Sequence, residues 1–455
     1  MKVASPGRWQ RWAQRCLTVF VILVPVSATV GPANLNFQWS DLAAVSFLLS
    51  ATAAGIWRRR HHFLLVWAAV YVCLSLPSFA QTTHTSASFL ELAKTVYLAC
   101  LAFTIVQWVS EPKTWDRLAR LFALIVGVTV IIALGVWVYA IWSGHIPEQL
   151  AVAMDVPNVG RVVRVKAMLL TPTFLANYLT MGLPLLAAYG AAALPRPRVT
   201  SWVLLALGIA ATGTTVSHSL AGCLTAAAMI APRSSRWDRV GQRCLGAFAV
   251  AAIVFSMVAT TVSVYGVRTE DAPAPTPPTS PAPHDFLGPQ GTGGEYTIQI
   301  RYGWVVYGIL KRIAWEAWQS HPWVGIGLGE FPYAVKRAVQ AGRLHSYYAG
   351  GADPHCTWLG AMAETGLIGL AGLLGFWGVL LSERWRTRSR IGQDAENWRI
   401  RAPLAGLVGL LVNSLYVDVM HFRFLWFGVA LLLAAMASQT PCRSAPGHPE
   451  GSRIR

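Results

Sequence analysis

Apolar stretches long enough to cross a bilayer as helices recur along almost the whole of this sequence, and that recurrence limits the chain more than any other feature. Inside a membrane every backbone N–H and C=O must find its partner within the chain, so a run of about 20 apolar residues crosses only as a helix. Windows of that length place about twelve spans. They fall near 16–31, 41–57, 63–80, 89–109, 118–142, 169–193, 199–215, 217–232, 244–266, 356–381, 402–417 and 422–438. The expected fold class is therefore an all-α polytopic membrane protein. Its parts are nine spans in 1–266, a large loop over 267–355, three spans in 356–438 and a tail from 439 to 455.

Composition agrees. With 54% hydrophobic and 13% charged residues, the chain has too little polar surface to solvate a soluble globule. The formal charge of +17 would suit a nucleic-acid binder, but such a protein is not built of repeated apolar runs, so no nucleic-acid partner is expected. The seven cysteines are scattered without a CxxC pair, which points to neither a disulfide framework nor a zinc site. The basic head and apolar stretch of the first 30 residues read as a retained first helix rather than a cleaved leader.

The connections give an orientation. Arg8, Arg11 and Arg15, Arg58 to Arg60, Arg196 and Arg198, Arg233 to Arg243, and Arg384 to Arg390 all fall on one side, which the positive-inside rule makes cytoplasmic. Both termini then lie inside. Two outer connections carry basic residues. The one over 143–168 holds Arg161, Arg164 and Lys166 beside Glu148 and Asp155, and it reads either as a solvated loop or as an anion site at the membrane. The other is the large loop. Its residues 272–283 form a Pro-rich spacer, and 296–320 carries Trp304, Gly308, Lys311, Trp315 and Trp318 at spacings of three and four, a helix expected to lie on the membrane surface. His321 and Pro322 end that helix, and a turn through Gly325, Gly327 and Gly329 follows.

The order of Arg301 and Trp304 on a helix, then HPWVGIGLGEF from His321 to Phe331, then DPHCTWLGAMAETGLIG from Asp353 to Gly369, resembles the O-antigen ligase and O-antigen polymerase family. The resemblance is specific over about seventy residues and elsewhere rests on span count and loop position. It implies a bundle of the GT-C kind in a bacterial inner membrane, acting at the periplasmic face. A glycan carried on undecaprenyl diphosphate would pass to an acceptor hydroxyl, either another lipid-linked glycan or the lipid A core, with no cofactor and no metal. Other polysaccharide-assembly proteins would be further partners. Such chemistry needs a group to orient or deprotonate the acceptor and cations to hold the diphosphate.

On the same resemblance, His355 matches the loop histidine that engages the acceptor, although Cys356 stands where the family has Asn. Arg301 matches the arginine heading the periplasmic helix, and Arg164, with Arg161 in reserve, the arginine before a small-Pro turn; guanidinium suits phosphate oxygens. His218 stands where a third arginine is usual. Glu364, nine residues beyond His355, points away from it on an ideal helix, so its partner is expected on another helix or at the turn of Gly366. Asp418, His421 and Arg423, in the last outer turn, either line the same cavity or pair with one another. The glycines from Gly366 to Gly378, three apart, read as packing.

Three other readings compete: a twelve-span secondary transporter, which WDRVGQR from Trp237 to Arg243 superficially suggests, a lipid-glycan flippase, and a structural assembly protein. Within the family, ligase and polymerase share every feature above; the missing Asn inclines the reading slightly toward a polymerase.

Overall fold

The computed structural model describes residues 7–28, 38–56, 63–109, 111–156, 160–193, 196–232, 235–265, 295–343, 353–388 and 398–438. Among the described residues it is an all-α molecule of fourteen α-helices with one short hairpin. In chain order the helices are α1 (Arg8–Leu23), α2 (Trp39–Ala53), α3 (Phe63–Ser75), α4 (Thr85–Trp108), α5 (Pro112–Ser143), α6 (Pro172–Ala193) and α7 (Pro197–Gly213). They continue as α8 (Leu220–Ile230), α9 (Arg236–Tyr265), α10 (Glu295–Ser320), α11 (Phe331–Gln340), α12 (Thr357–Arg388), α13 (Trp398–Asn413) and α14 (Arg423–Ser438). Four are long and apolar enough to cross a membrane, namely those over Thr85–Trp108, Pro112–Ser143, Arg236–Met257 and Thr357–Ser382. A multi-pass membrane protein is consistent with this.

Each of the twelve expected apolar windows holds a helix, but several boundaries move. The first helix runs from Arg8 to Leu23 instead of 16–31, so Arg8, Arg11 and Arg15 ride on it, and it stops before Pro25, which has no N–H to continue the ladder. A 3₁₀ turn over Leu76–Gln81, opened by Pro77, follows α3. The α8 helix has 11 residues, about 16 Å of rise, short of a full crossing. The expected connection over 143–168 is a hairpin: β1 (Ala151–Val156) pairs antiparallel with β2 (Gly160–Val165), with Val152 opposite Arg164 and Asp155 opposite Arg161. The helix α11 was not anticipated either; it buries Phe331, Val335 and Ala338 against Leu310, Ile313 and Ala314 of α10 and Ala363 of α12. The Pro-rich spacer at 272–283 and the tail over 439–455 lie outside the described residues.

The main apolar core is large and continuous, with Trp115, Phe122, Tyr178, Phe427 and Trp426 fully buried within it. At its centre α6, α8 and α13 approach closely because Gly222 and Gly409 oppose each other's backbone without side chains. A polar knot spans the three helices. Asn413 donates to Asn177 Oδ1 at 2.8 Å, Asn177 donates to Ser219 Oγ at 3.0 Å, and Gly222 N donates to Asn413 Oδ1 at 3.0 Å. In an apolar interior such groups are costly unless paired, so the knot fixes the register of three helices and with it the turn that precedes α8.

The described part of the loop over 267–355 is tied down by a break in α12. Gly366 has φ 63° and ψ −164°, a conformation open only to glycine, and it interrupts the helical ladder. The glycine turn fills the gap: Ile326 N donates to Ala363 O at 2.8 Å and Gly327 N to Glu364 O at 3.1 Å, while Leu367 N donates to Pro322 O at 2.9 Å. Gly325, Gly327 and Gly329 all have positive φ, and a Cβ on Gly325 would overlap the Glu364 carbonyl. So Gly366 and Gly325 belong to one docking joint, whereas Gly372 packs on Tyr71 and Leu74 and Gly378 faces open space. Glycines three residues apart drift around a 3.6-residue helix, so those that pack, Gly366 and Gly372, do so against different neighbours.

Candidate functional site

Five separate elements bring polar side chains together where α10 meets the N-terminus of α12. The hairpin contributes Arg164, whose Nε donates to Thr215 O at 2.9 Å. The turn before α8 contributes His218, with Nδ1 3.0 Å from Ser256 Oγ of α9. From α10 come Tyr307 and Lys311; Lys311 Nζ lies 3.5 Å from Leu415 O and 5.7 Å from the centroid of the Tyr416 ring. The segment entering α12 contributes His355, whose ring meets Tyr307 edge-on at 4.3 Å. Tyr416, after α13, stacks on His218 at 5.8 Å, and Tyr307 lies 6.5 Å from His218.

The cluster is positively biased. Among the described residues, the carboxylate that faces it is Asp353, which accepts the His355 backbone N–H at 2.7 Å and lies 3.4 Å from His355 Nδ1. Lys311 has no carboxylate within 4 Å among the described residues. Burial lowers the proton affinity of Arg164 and of Lys311, since both cations sit in partly dehydrated surroundings. His355 is pushed below its ordinary value by burial first, opposed by Asp353 and reinforced by Lys311. Lys311, Arg164 and His355 all act electrostatically on His218. A neutral imidazole beside fixed cations is what an anion plus a proton-accepting group require.

Backbone strain gathers here too. The described non-glycine residues with positive φ are Ala167, Val216 and His355, at 50°, 47° and 47°. One follows Arg164, one precedes His218 and one is the histidine itself. Each costs of order 1–3 kcal/mol, and such strain tends to gather where side-chain placement matters to function.

Several expected site residues fall elsewhere. The backbone of Arg301 lies on α10 ten residues, about 15 Å, before Lys311, and its side chain is outside the described residues. Arg161 is placed in β2 by its backbone alone. Glu364 does not approach His355. Its Oε1 accepts the Phe331 N–H at 3.1 Å, so its partner is the start of α11, on the side where Gly366 breaks α12.

Asp418, His421 and Arg423 resolve into pairs. His421 Nε2 lies 3.0 Å from Asp418 and 3.8 Å from Glu91; burial opposes its charge, but Asp418 outweighs that and raises it to about 9. Arg423 makes a two-pronged pair with Asp41 of α2, at 2.6 and 2.5 Å, to which Tyr97 also donates. These groups tie α2, α4 and α14 together. Asp418 adjoins the site through Thr357 Oγ1, at 3.3 Å.

Lys311, Tyr307 and Tyr416 were not singled out as site residues from the sequence, although Lys311 stood on the basic face of the surface helix. Cys356 is buried just inside, beside His355. Compared with known proteins, the chain matches no family model and no curated protein.

Proposed function

We propose that this protein is a membrane glycosyltransferase that moves an undecaprenyl-diphosphate-linked glycan to an acceptor hydroxyl at the outer face of a bacterial inner membrane. It would serve surface polysaccharide assembly as an O-antigen ligase or, by slight preference, a polysaccharide polymerase. All twelve helices that fill the apolar windows serve as spans in this reading, the shorter ones completed by their flanking turns, with both termini cytoplasmic. The observation that carries it is the convergence of Arg164, Lys311 and His218 on His355, drawn from the hairpin, the outer loop and two helix ends.

The residues divide the work. Arg164 and Lys311 hold the diphosphate oxygens and stabilise the charge that grows on them as the glycosidic bond breaks. His355, neutral and edge-on to Tyr307, accepts the acceptor hydroxyl proton or orients that hydroxyl for attack at the anomeric carbon. A single displacement would invert the anomeric centre. Lys311 here takes the place expected of Arg301 as the cation supplied by the loop helix.

Purified protein, a synthetic lipid-diphosphate glycan and a candidate acceptor should give elongated glycan and free lipid diphosphate. Movement of the lipid across a bilayer without bond transfer would instead establish a flippase, and neither outcome in folded protein would overturn both. His355→Ala should abolish transfer. Glycan from a deletion strain separates the two acceptors: single unpolymerised units indicate a polymerase, and full-length unattached chains a ligase.

A further inference from the structure

We propose that a groove between α8, α9 and α13 is a binding site for one anionic phospholipid of the inner leaflet, with its phosphate at Arg243 and an acyl chain along α9. The groove encloses about 420 Å³ and is lined by Thr225 and Met229 of α8, Gly246, Val250 and Ile253 of α9, and Val412 of α13. Among the four long apolar helices, α9 is the least buried, and Val250 is 60% exposed, so the groove opens sideways to the lipid. Gln242 closes its floor by donating to Ala228 O at 2.8 Å.

Charge marks one end. Arg243 lies at the mouth, exposed and without an ion pair among the described residues, and Arg239 continues the same stripe one turn earlier. Arg401 of α13 reaches Met229 O at 3.4 Å beside them. The nearest acid on α9, Asp238, is turned toward α7, where it accepts from Trp202 Nε1 at 3.0 Å and Ser235 N at 2.9 Å. Basic pockets between helices at the cytoplasmic side suit phosphate headgroups, and an apolar slot below them suits a chain.

Length decides between chains. From Arg243 to Ile253 is ten residues, about 15 Å, half of a hydrocarbon core of about 30 Å. That is the depth of one leaflet. At the far end Tyr416 donates to Ile253 O at 2.9 Å and shuts the groove off from the cation cluster beyond. A chain therefore enters from the Arg243 end, and a polyisoprenoid anchored at the outer face would have to pass the tyrosine. The inference rests on the orientation read from the basic helix ends and does not depend on the transferase reading.

Native mass spectrometry of the full-length protein in mild detergent, with phosphatidylglycerol or phosphatidylcholine added, tests it. Wild-type protein should retain one phosphatidylglycerol and prefer it to phosphatidylcholine by about fivefold or more, the worth of one arginine beside a net negative headgroup, since phosphatidylcholine carries the same phosphate but cancels its charge with choline. Arg243→Gln, at an exposed position, should bring that preference close to one. Gly246→Phe should exclude both lipids, since a side chain there enters open space rather than neighbouring atoms. An undiminished preference in Arg243→Gln, a full lipid complement in folded Gly246→Phe, or a polyisoprenoid as the retained molecule would each overturn the proposal. Glycan transfer is not read in this measurement, so a failed transferase reading leaves its outcome intact.

Discussion

Lys311, midway along the loop over 267–355, and His355, at its end, reach the same site, and the lysine acts on the charge of the histidine. Lys311 depresses the proton affinity of His355, and Asp353 raises it. If neutral His355 is the competent form, transfer should hold its rate down to a pH below the ordinary histidine value of about 6.5 and fall only under more acid conditions. Lys311→Met should cut kcat/KM by roughly 100-fold and also move that acid limb to higher pH; Lys311→Arg should restore part of the rate. Asp353→Asn should move the limb the other way, because the carboxylate that favours the protonated ring is gone. An acid limb that stays put in both variants would remove His355 from the titration. Of this site, Arg164, His218 and His355 were singled out in the sequence by the family resemblance, which fixes positions along the chain. Lys311, Tyr307 and Tyr416 were not, because only tertiary packing carries α10 across to α13, and a lysine on a surface helix has many ordinary uses.

At the scale of elements, the glycine turn and the break in α12 act as a single joint, and Glu330 clamps it from the other side. Its carboxylate accepts from Thr82 Oγ1 at 2.9 Å, Thr83 N at 2.8 Å and His84 N at 2.5 Å, while the His84 ring stacks on Tyr333. Burial would raise its pKa, but these donors outweigh it and hold the carboxyl at about 2. Because the folded value lies below the unfolded one, this stabilisation is complete above about pH 4.3 and fades as pH falls toward 2. Glu330→Gln should cost about 2 kcal/mol at neutral pH, visible as a lower Tm in detergent, with the gap to wild type narrowing in acid. Gly366→Ala should cost about 1–3 kcal/mol and leave the turn over 322–329 open to limited proteolysis, since Ala cannot adopt that backbone conformation and its methyl would overlap Trp323. The helices were legible because apolar runs are long-range and robust. The hairpin escaped notice although its Val-rich alternation flanks Asn158 and Gly160, for six-residue strands are easily lost beside runs of twenty. A turn at Gly366 was legible in the sequence, but not that it interrupts one long helix to receive the turn over 322–329.

For the whole molecule, orientation is the statement most open to direct test. With the native cysteines replaced, a cysteine introduced at exposed Ser320 should react with a membrane-impermeant thiol reagent from the outer side of intact cells, and one at Arg239 only after the membrane is opened. The reverse labelling pattern would place the cation cluster in the cytoplasm and end the transferase reading. If the chain is the proposed transferase, that cluster would also set the tempo of turnover. Arg164 and Lys311 each sit in partly dehydrated surroundings, where an arriving anion would offset their charge. Once the sugar leaves, the carrier has gained negative charge, so the spent lipid diphosphate is held more tightly than the loaded lipid it came from. Catalysis would then wait on departure of the product. Added salt, by loosening that grip, should quicken the steady state while leaving a first turnover unchanged.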